Sequence, residues 1–319
     1  MPNKLARIAL LAALIAVTAG CQQHDQAGGK TPSAAAAAAT TTPAGAVSAS
    51  VAALRKNDVG ALMQDILPPA ALAKFKADWH DNMNKEPVTD KDRQQFAETM
   101  AKLTAPDAEA NLYKEIEPKL KQFDQKSAQQ MPMMIAMGEG FAQSSIKQNK
   151  DLSEQQKQQA GKLLDATAKW AQSTKFTDPA LVKQAIAVMC NTARKLNLKS
   201  IDTLRALTYE QGMQKAGILL AGMKQLFAVY DLNMDKVLDS VKVQPVSAQG
   251  DNATIKVTYT AFDQPFTTET RMQRVGSQWY GTHAIEAWKK KQERDAAIAA
   301  AKPAAKPAPA TAAAADTTK

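Results

Sequence analysis

The apolar residues of this chain change their period once, near residue 240, and that change limits the folds open to it. Up to Tyr230 they recur every three or four positions, the spacing of one helix face. Val47, Val51 and Leu54 form one such stripe, and Leu72, Phe75, Trp79 and Met83 another. Further stripes follow in Phe96, Met100 and Leu103; in Leu112, Ile116, Leu120 and Phe123; and in Leu163, Leu164, Ala168 and Trp170. Leu181, Ile186 and Met189 continue the pattern, and Met213, Ile218, Met223 and Phe227 close it. From residue 240 to about 285 apolar and polar residues alternate, as in Ile255, Val257 and Tyr259 with Lys256 and Thr258 between them. Gly250-Asp251-Asn252 and Asp263-Gln264-Pro265 read as turns, and Gly276 joins two more strands. Short turns between consecutive strands predict a four-stranded antiparallel meander. The expected fold is therefore α+β and mostly helical, with the sheet near the C-terminus.

Helix boundaries are written in the capping residues. Asp58 precedes a helix, Thr89 or Asp90 another, Ser153-x-x-Gln156 matches a capping box, and Asp178-Pro179 opens a further helix. Pro106 should end a helix and Pro118 should kink the next. Gly138-Glu139-Gly140 should loosen or end the helix that carries Met131, Met133, Met134 and Met137. A basic helix is expected over residues 286–299, after strands ending at residue 285.

The two ends have another composition. Residues 22–44 are rich in Gln, Gly, Thr, Pro and Ala, with six consecutive alanines at residues 34–39. Residues 300–319 repeat Ala, Lys and Pro. Neither carries enough apolar surface to build a core, so a flexible tether (residues 21–45) and a disordered tail are expected to flank a folded body of residues 46–299. Within that body residues 46–239 read as helical and residues 240–285 as sheet.

Lys4 and Arg7 precede an apolar run over residues 8–17, too short for a span of about 20 residues. It ends in Thr18-Ala19-Gly20-Cys21, which resembles the lipobox of bacterial lipoproteins, although Thr18 stands where Leu is usual. The resemblance implies a signal peptide of residues 1–20, acylation of Cys21, and a membrane partner held through that lipid anchor. Gln22 follows the cysteine where an inner-membrane retention signal would place Asp, which implies the outer membrane, facing the periplasm. Removing the signal peptide takes two charges from the formal +9, leaving 9 − 2 = +7. A basic excess suits anionic envelope surfaces. Envelope protein or cell wall is the expected further partner. Nucleic acid is not expected, given the location and an aromatic content of 5%. With Cys21 acylated, Cys190 has no partner inside the chain and reads as a buried thiol.

The strands, ending in Gly276-Ser277-Gln278-Trp279-Tyr280, resemble small cone-shaped α+β domains of the NTF2-like kind and related lipoprotein domains of unknown function. That resemblance implies a curved sheet around helices, with the helical middle as an insertion. A pocket there would be lined by Tyr259, Trp279, Tyr280 and the methionine segment of Met131, Met133, Met134 and Met137, as a ligand or partner groove. The methionines read first as core packing, ahead of such a groove and of soft thioether ligands for Cu(I). His80 and the His283/Glu286 pair lack the spacing of a metal site, so no metal and no cofactor are expected. No Gly-x-Ser-x-Gly elbow is present, and no Ser-x-x-Lys sits at a plausible helix start. A non-catalytic binding or structural lipoprotein is expected. An enzymatic or ligand-binding pocket, and an inhibitor or immunity-type lipoprotein, remain alternatives.

Overall fold

Thr42 caps the first helix, α1 (Pro43–Lys56), by accepting the Gly45 N–H, and Pro43 pre-sets the first turn. The structure, a computed structural model, describes residues 40–150 and 152–301, and side chains for these apart from residues 125–132 and 299–301. Thr40 is already buried, and its carbonyl accepts the Trp279 N–H at 3.3 Å. The body thus begins inside the segment read as tether, because a Thr-Pro cap is indistinguishable by composition from Thr/Pro-rich linker. Cys21, the lipobox and the tail beyond Ala301 lie outside the described residues.

Asn57 stops α1 in the left-handed region (φ 59°), and Asp58 at once caps α2 (Val59–Ile66). The chain then runs through α3 (Pro69–Ala77), α4 (Trp79–Asn84), α5 (Asp90–Thr104), α6 (Ala108–Gln148), α7 (Glu154–Ser173), α8 (Pro179–Leu196), α9 (Ile201–Arg205), α10 (Tyr209–Val229) and α11 (Met234–Asp239). Four strands follow, β1 (Lys242–Gln249), β2 (Asn252–Ala261), β3 (Gln264–Val275) and β4 (Gln278–Gly281), and then α12 (Thr282–Ala301). The fold is α+β and mostly helical, and the sheet is an antiparallel meander in the order β1-β2-β3-β4. β1 is an edge strand carrying Pro245 and an irregularity between Pro245 and Ser247, both of which discourage pairing with another chain.

The main core lies between α1 and the sheet. Val47, Val51 and Leu54 pack with Ile255 and Val257 of β2, with Val241, and with Met272 and Trp279. Every second residue of β2 is buried there, which is the alternation seen in the sequence. A second cluster joins Val182, Ile186 and Cys190 of α8 to Ala108, Leu112, Ile116 and Leu120 of α6. Cys190 is fully buried, and burial raises its thiol pKa.

Three boundaries differ from expectation. α6 continues through Pro118, Pro132, Gly138 and Gly140 as one helix of 41 residues, about 62 Å long. Its first half is held by α8 and its second half runs beside α7, where Gln143 bonds Asp165. Packing on both halves outweighs the local breakers. β4 stops at Gly281, and α12 begins at Thr282 rather than residue 286, because Ile285 and Trp288 follow helical spacing. The stripe from Leu72 to Met83 splits at Asp78 into α3 and α4, and Trp79 then lies against Gly212 of α10 with its indole N–H on the Leu207 carbonyl at 2.7 Å. Among the described residues no helix is long and apolar enough to cross a membrane.

Lys224 of α10 is a buried cation, 8% exposed. Its Nζ donates to the carbonyls of Leu54 (2.9 Å) and Arg55 (3.2 Å) and lies 2.5 Å from a carboxylate oxygen of Asp235. Lys224→Ala leaves the last carbonyls of α1 and the Asp235 charge without this partner. A loss of about 2–4 kcal/mol in unfolding free energy is expected from urea titration. A change below about 0.5 kcal/mol would show that the ammonium is not structural.

Candidate functional site

α10 is the floor of an open groove of about 740 Å³. One wall is the α1–α2 corner, with Lys56, Asn57, Asp58 and Gly60; the other is the last turns of α8, with Thr192 and Lys195. Lys76 of α3 reaches in near the start of α10. The walls stand close to the floor because α10 carries glycines where they meet it. A Cβ on Gly217 would come within 2.5 Å of the Asn57 carbonyl oxygen, and one on Gly222 within 2.4 Å of the Thr192 hydroxyl.

Tyr209 sits at the near end of the floor, 7% exposed, in edge-to-face contact with Phe75 and Trp79. The Lys76 ammonium lies 4.9 Å from its ring centre. The Tyr209 hydroxyl is buried without a hydrogen-bond partner among the described residues, and so is Oδ1 of Asn57. Burial, with Glu210 adding, raises the Tyr209 pKa, so the phenol stays protonated at neutral pH. Two unpaired buried polar atoms in one groove are a cost of about 1–3 kcal/mol each, which a ligand with matching groups would remove. The rest of the lining could engage such a ligand too, since Gln64, Gln214 and Gln225 offer amides, while Met213 and Ile218 offer apolar contact.

Asp65, on the same short helix as the groove wall, has its pKa pushed up to about 6 by burial, with Asp58 adding a like charge. Its field in turn contributes to raising Tyr280, whose pKa is lifted chiefly by burial.

The residues singled out in the sequence do not form one groove. Trp279 and Tyr280 are buried at 7% and 2%, Trp279 within the α1–sheet core, and Tyr259 packs partly buried beside that core, stacked on Phe266. Met133, Met134 and Met137 stand 65–71% exposed on α6, and Phe141 beside them is 77% exposed. They are exposed surface rather than core, and they line neither the α10 groove nor the cleft at His283. The side chain of Met131 lies outside the described ones. His283 and Glu286 line a second, polar cleft of about 650 Å³ between the α6–α7 turn, β3 and α12, together with Lys150, Arg271 and Lys290. His80 is exposed on α4, with its carbonyl accepting from Asn84. Among the described residues no three His, Cys, Asp or Glu side chains are placed to hold a metal ion.

The α10 groove has only faint signals in the sequence. They are glycines five apart within a helical stripe (Gly212, Gly217, Gly222) and the Lys56-Asn57-Asp58 stop-and-restart between two helices. No protein-family model matches the chain, and no curated protein or solved structure matches it either.

The raised pKa of Asp65 carries a definite sign. The folded protein holds this proton more tightly than the unfolded chain, whose carboxyl titrates near 3.8. The stability it contributes is full below about pH 4 and is lost as pH rises through about 6. Asp65→Asn should therefore stabilise the protein at pH 7 by about 1–2 kcal/mol, allowing for solvent screening of a half-exposed group, and flatten stability between pH 4 and 7. Denaturation midpoints measured across that range check both effects.

Proposed function

We propose that this chain is a lipid-anchored envelope protein, facing the periplasm from the outer membrane, that acts by binding a small polar ligand in the α10 groove. The observation that carries the binding role is the buried, unpartnered hydroxyl of Tyr209, in a groove whose lining also includes Asn57 with its unpartnered Oδ1. Lysines, amides and a phenol hold a ligand by charge and hydrogen bonds, which supports binding rather than turnover. The anchor is supported by Thr18-Ala19-Gly20-Cys21 after a short apolar run. Thr40, where the described body begins, stands 19 positions after Cys21, a separation that chain geometry limits to about 65 Å. The groove would thus work within reach of the membrane surface and its neighbouring cell wall.

Two measurements test the two halves separately. Cys21→Ser is expected to move the protein from the outer-membrane pellet to the soluble periplasmic fraction; continued sedimentation with the outer membrane would rule out this anchor. Ala221→Trp places an indole in the groove. A small-molecule extract of envelopes is expected to raise the Tm of the native protein by about 2–5 °C and to leave the tryptophan variant unmoved. Equal shifts in both proteins would place binding elsewhere.

A further inference from the structure

We infer, building on that binding role, that the α10 groove recognises a carboxylate-bearing ligand that also brings an N–H or O–H donor. Three lysines line the groove: Lys56 on the α1–α2 wall, Lys195 on the α8 wall opposite, and Lys76 near the start of α10. None of the three has a carboxylate within ion-pair distance among the described residues, although the fold pairs many other cations. The two acids of the lining are placed for other work. Asp58 accepts the Ala61 N–H at 2.9 Å as the cap of α2. Glu210 lies in the first turn of α10, beside the positive end of that helix. Cations from facing walls with no internal counter-charge attract an anionic group to the space between them.

The orphaned atoms narrow the anion. Asn57 Oδ1 is an acceptor only, so it needs a donor from the ligand, and the Tyr209 hydroxyl takes either role. A bare phosphate dianion, like a bare carboxylate, has acceptors alone and leaves Asn57 unsatisfied, so the donor has to stand on a group next to the anion. A carboxylate next to an amine, amide or hydroxyl satisfies both the lysines and Asn57. The free end of a peptide and a sugar acid share that chemistry, and the groove volume of about 740 Å³ accommodates either.

The test uses the Cys21→Ser chain in solution and four probes followed by calorimetry and by chemical shifts of groove residues. Alanyl-alanine and galacturonate carry the carboxylate; alanyl-alaninamide and galactose are their carboxylate-free counterparts. At least one carboxylate probe is expected to bind, at least tenfold more tightly than its counterpart, and which one binds identifies the source. Affinity should fall tenfold or more in the Lys56→Gln/Lys195→Gln double variant, persist with arginine at both positions, and weaken with added salt. Both lysines are exposed, so the double variant should keep the native Tm. Failure of all four probes to bind, or equal binding of a probe and its counterpart, overturns the carboxylate assignment. In the latter case, weakening by Tyr209→Phe would keep the groove as the binding site. Carboxylate binding untouched by the lysine variants and by Ala221→Trp would overturn both the assignment and the groove.

Discussion

A lysine ammonium enclosed by two carbonyls and a carboxylate ties α10 to α1 and α11, the two helices that lead onto the sheet. The carbonyls of Leu54 and Arg55 belong to the last turn of α1, where backbone donors run short and the helix dipole is negative; the Leu54 carbonyl also accepts the Asn57 N–H at 3.1 Å. Lys224 supplies that donor and that charge, while Asp235 on α11 balances it. Arg55 extends the contact to Asp235 and Asp239. Removing an ammonium from water is costly, and three partners are what make the position tolerable. The consequence is geometric. With its C-terminal end fixed, α1 turns Val47, Val51 and Leu54 onto Ile255 and Val257, and α11 delivers the chain into β1 at Val241.

The same helix that carries Lys224 depends on missing side chains elsewhere. Gly212 admits the Trp79 ring, whose nearest atom would lie 2.2 Å from an added Cβ, and Gly217 admits the backbone of the α1–α2 corner. Glycine in a helix interior costs roughly 0.5–1 kcal/mol relative to alanine, so α10 gives up local helix propensity for close approach. That approach also makes the groove. Walls resting directly on the α10 backbone leave a trough along it, and its lining includes Asn57 and Tyr209, each with a buried polar atom that has no partner among the described residues.

Much of the fold was legible because it is decided locally. The cap at Thr89, the capping box at Ser153, the Asp178-Pro179 start and the alternation of β2 each place an element within a residue or two. What was not legible is decided by partners distant in sequence. Pro118 and Gly138 read as breaks, yet α8 clamps one half of α6 and α7 lies along the other. Met133 and Met137 read as core or groove, yet nothing among the described residues covers their helix face. α9 and α11, of five and six residues, are too short to show a period. The groove lies in this second class: an orphaned hydroxyl is a property of what surrounds Tyr209, and no spacing in the chain announces it.

The last turn of α8 shows how the basic excess is divided. Arg194 and Lys195 are neighbours, and on a helix neighbours point about 100° apart. Arg194 faces α6, where its guanidinium meets both oxygens of Glu109, at 2.5 and 2.9 Å, and the Ala105 carbonyl at 2.8 Å. That engagement holds Glu109 far below the usual carboxylate range, down to about 2, so the contact persists through mild acid and is lost only as pH falls toward that value. Lys195 instead lines the α10 groove, as Lys56 does, and has no ion pair among the described residues. A chain with 40 basic and 31 acidic side chains must leave some cations unpaired. Scattered over the surface, such cations would confer solubility and little else. Gathered in a trough with two unsatisfied polar atoms, they raise the potential where a ligand gains most from it.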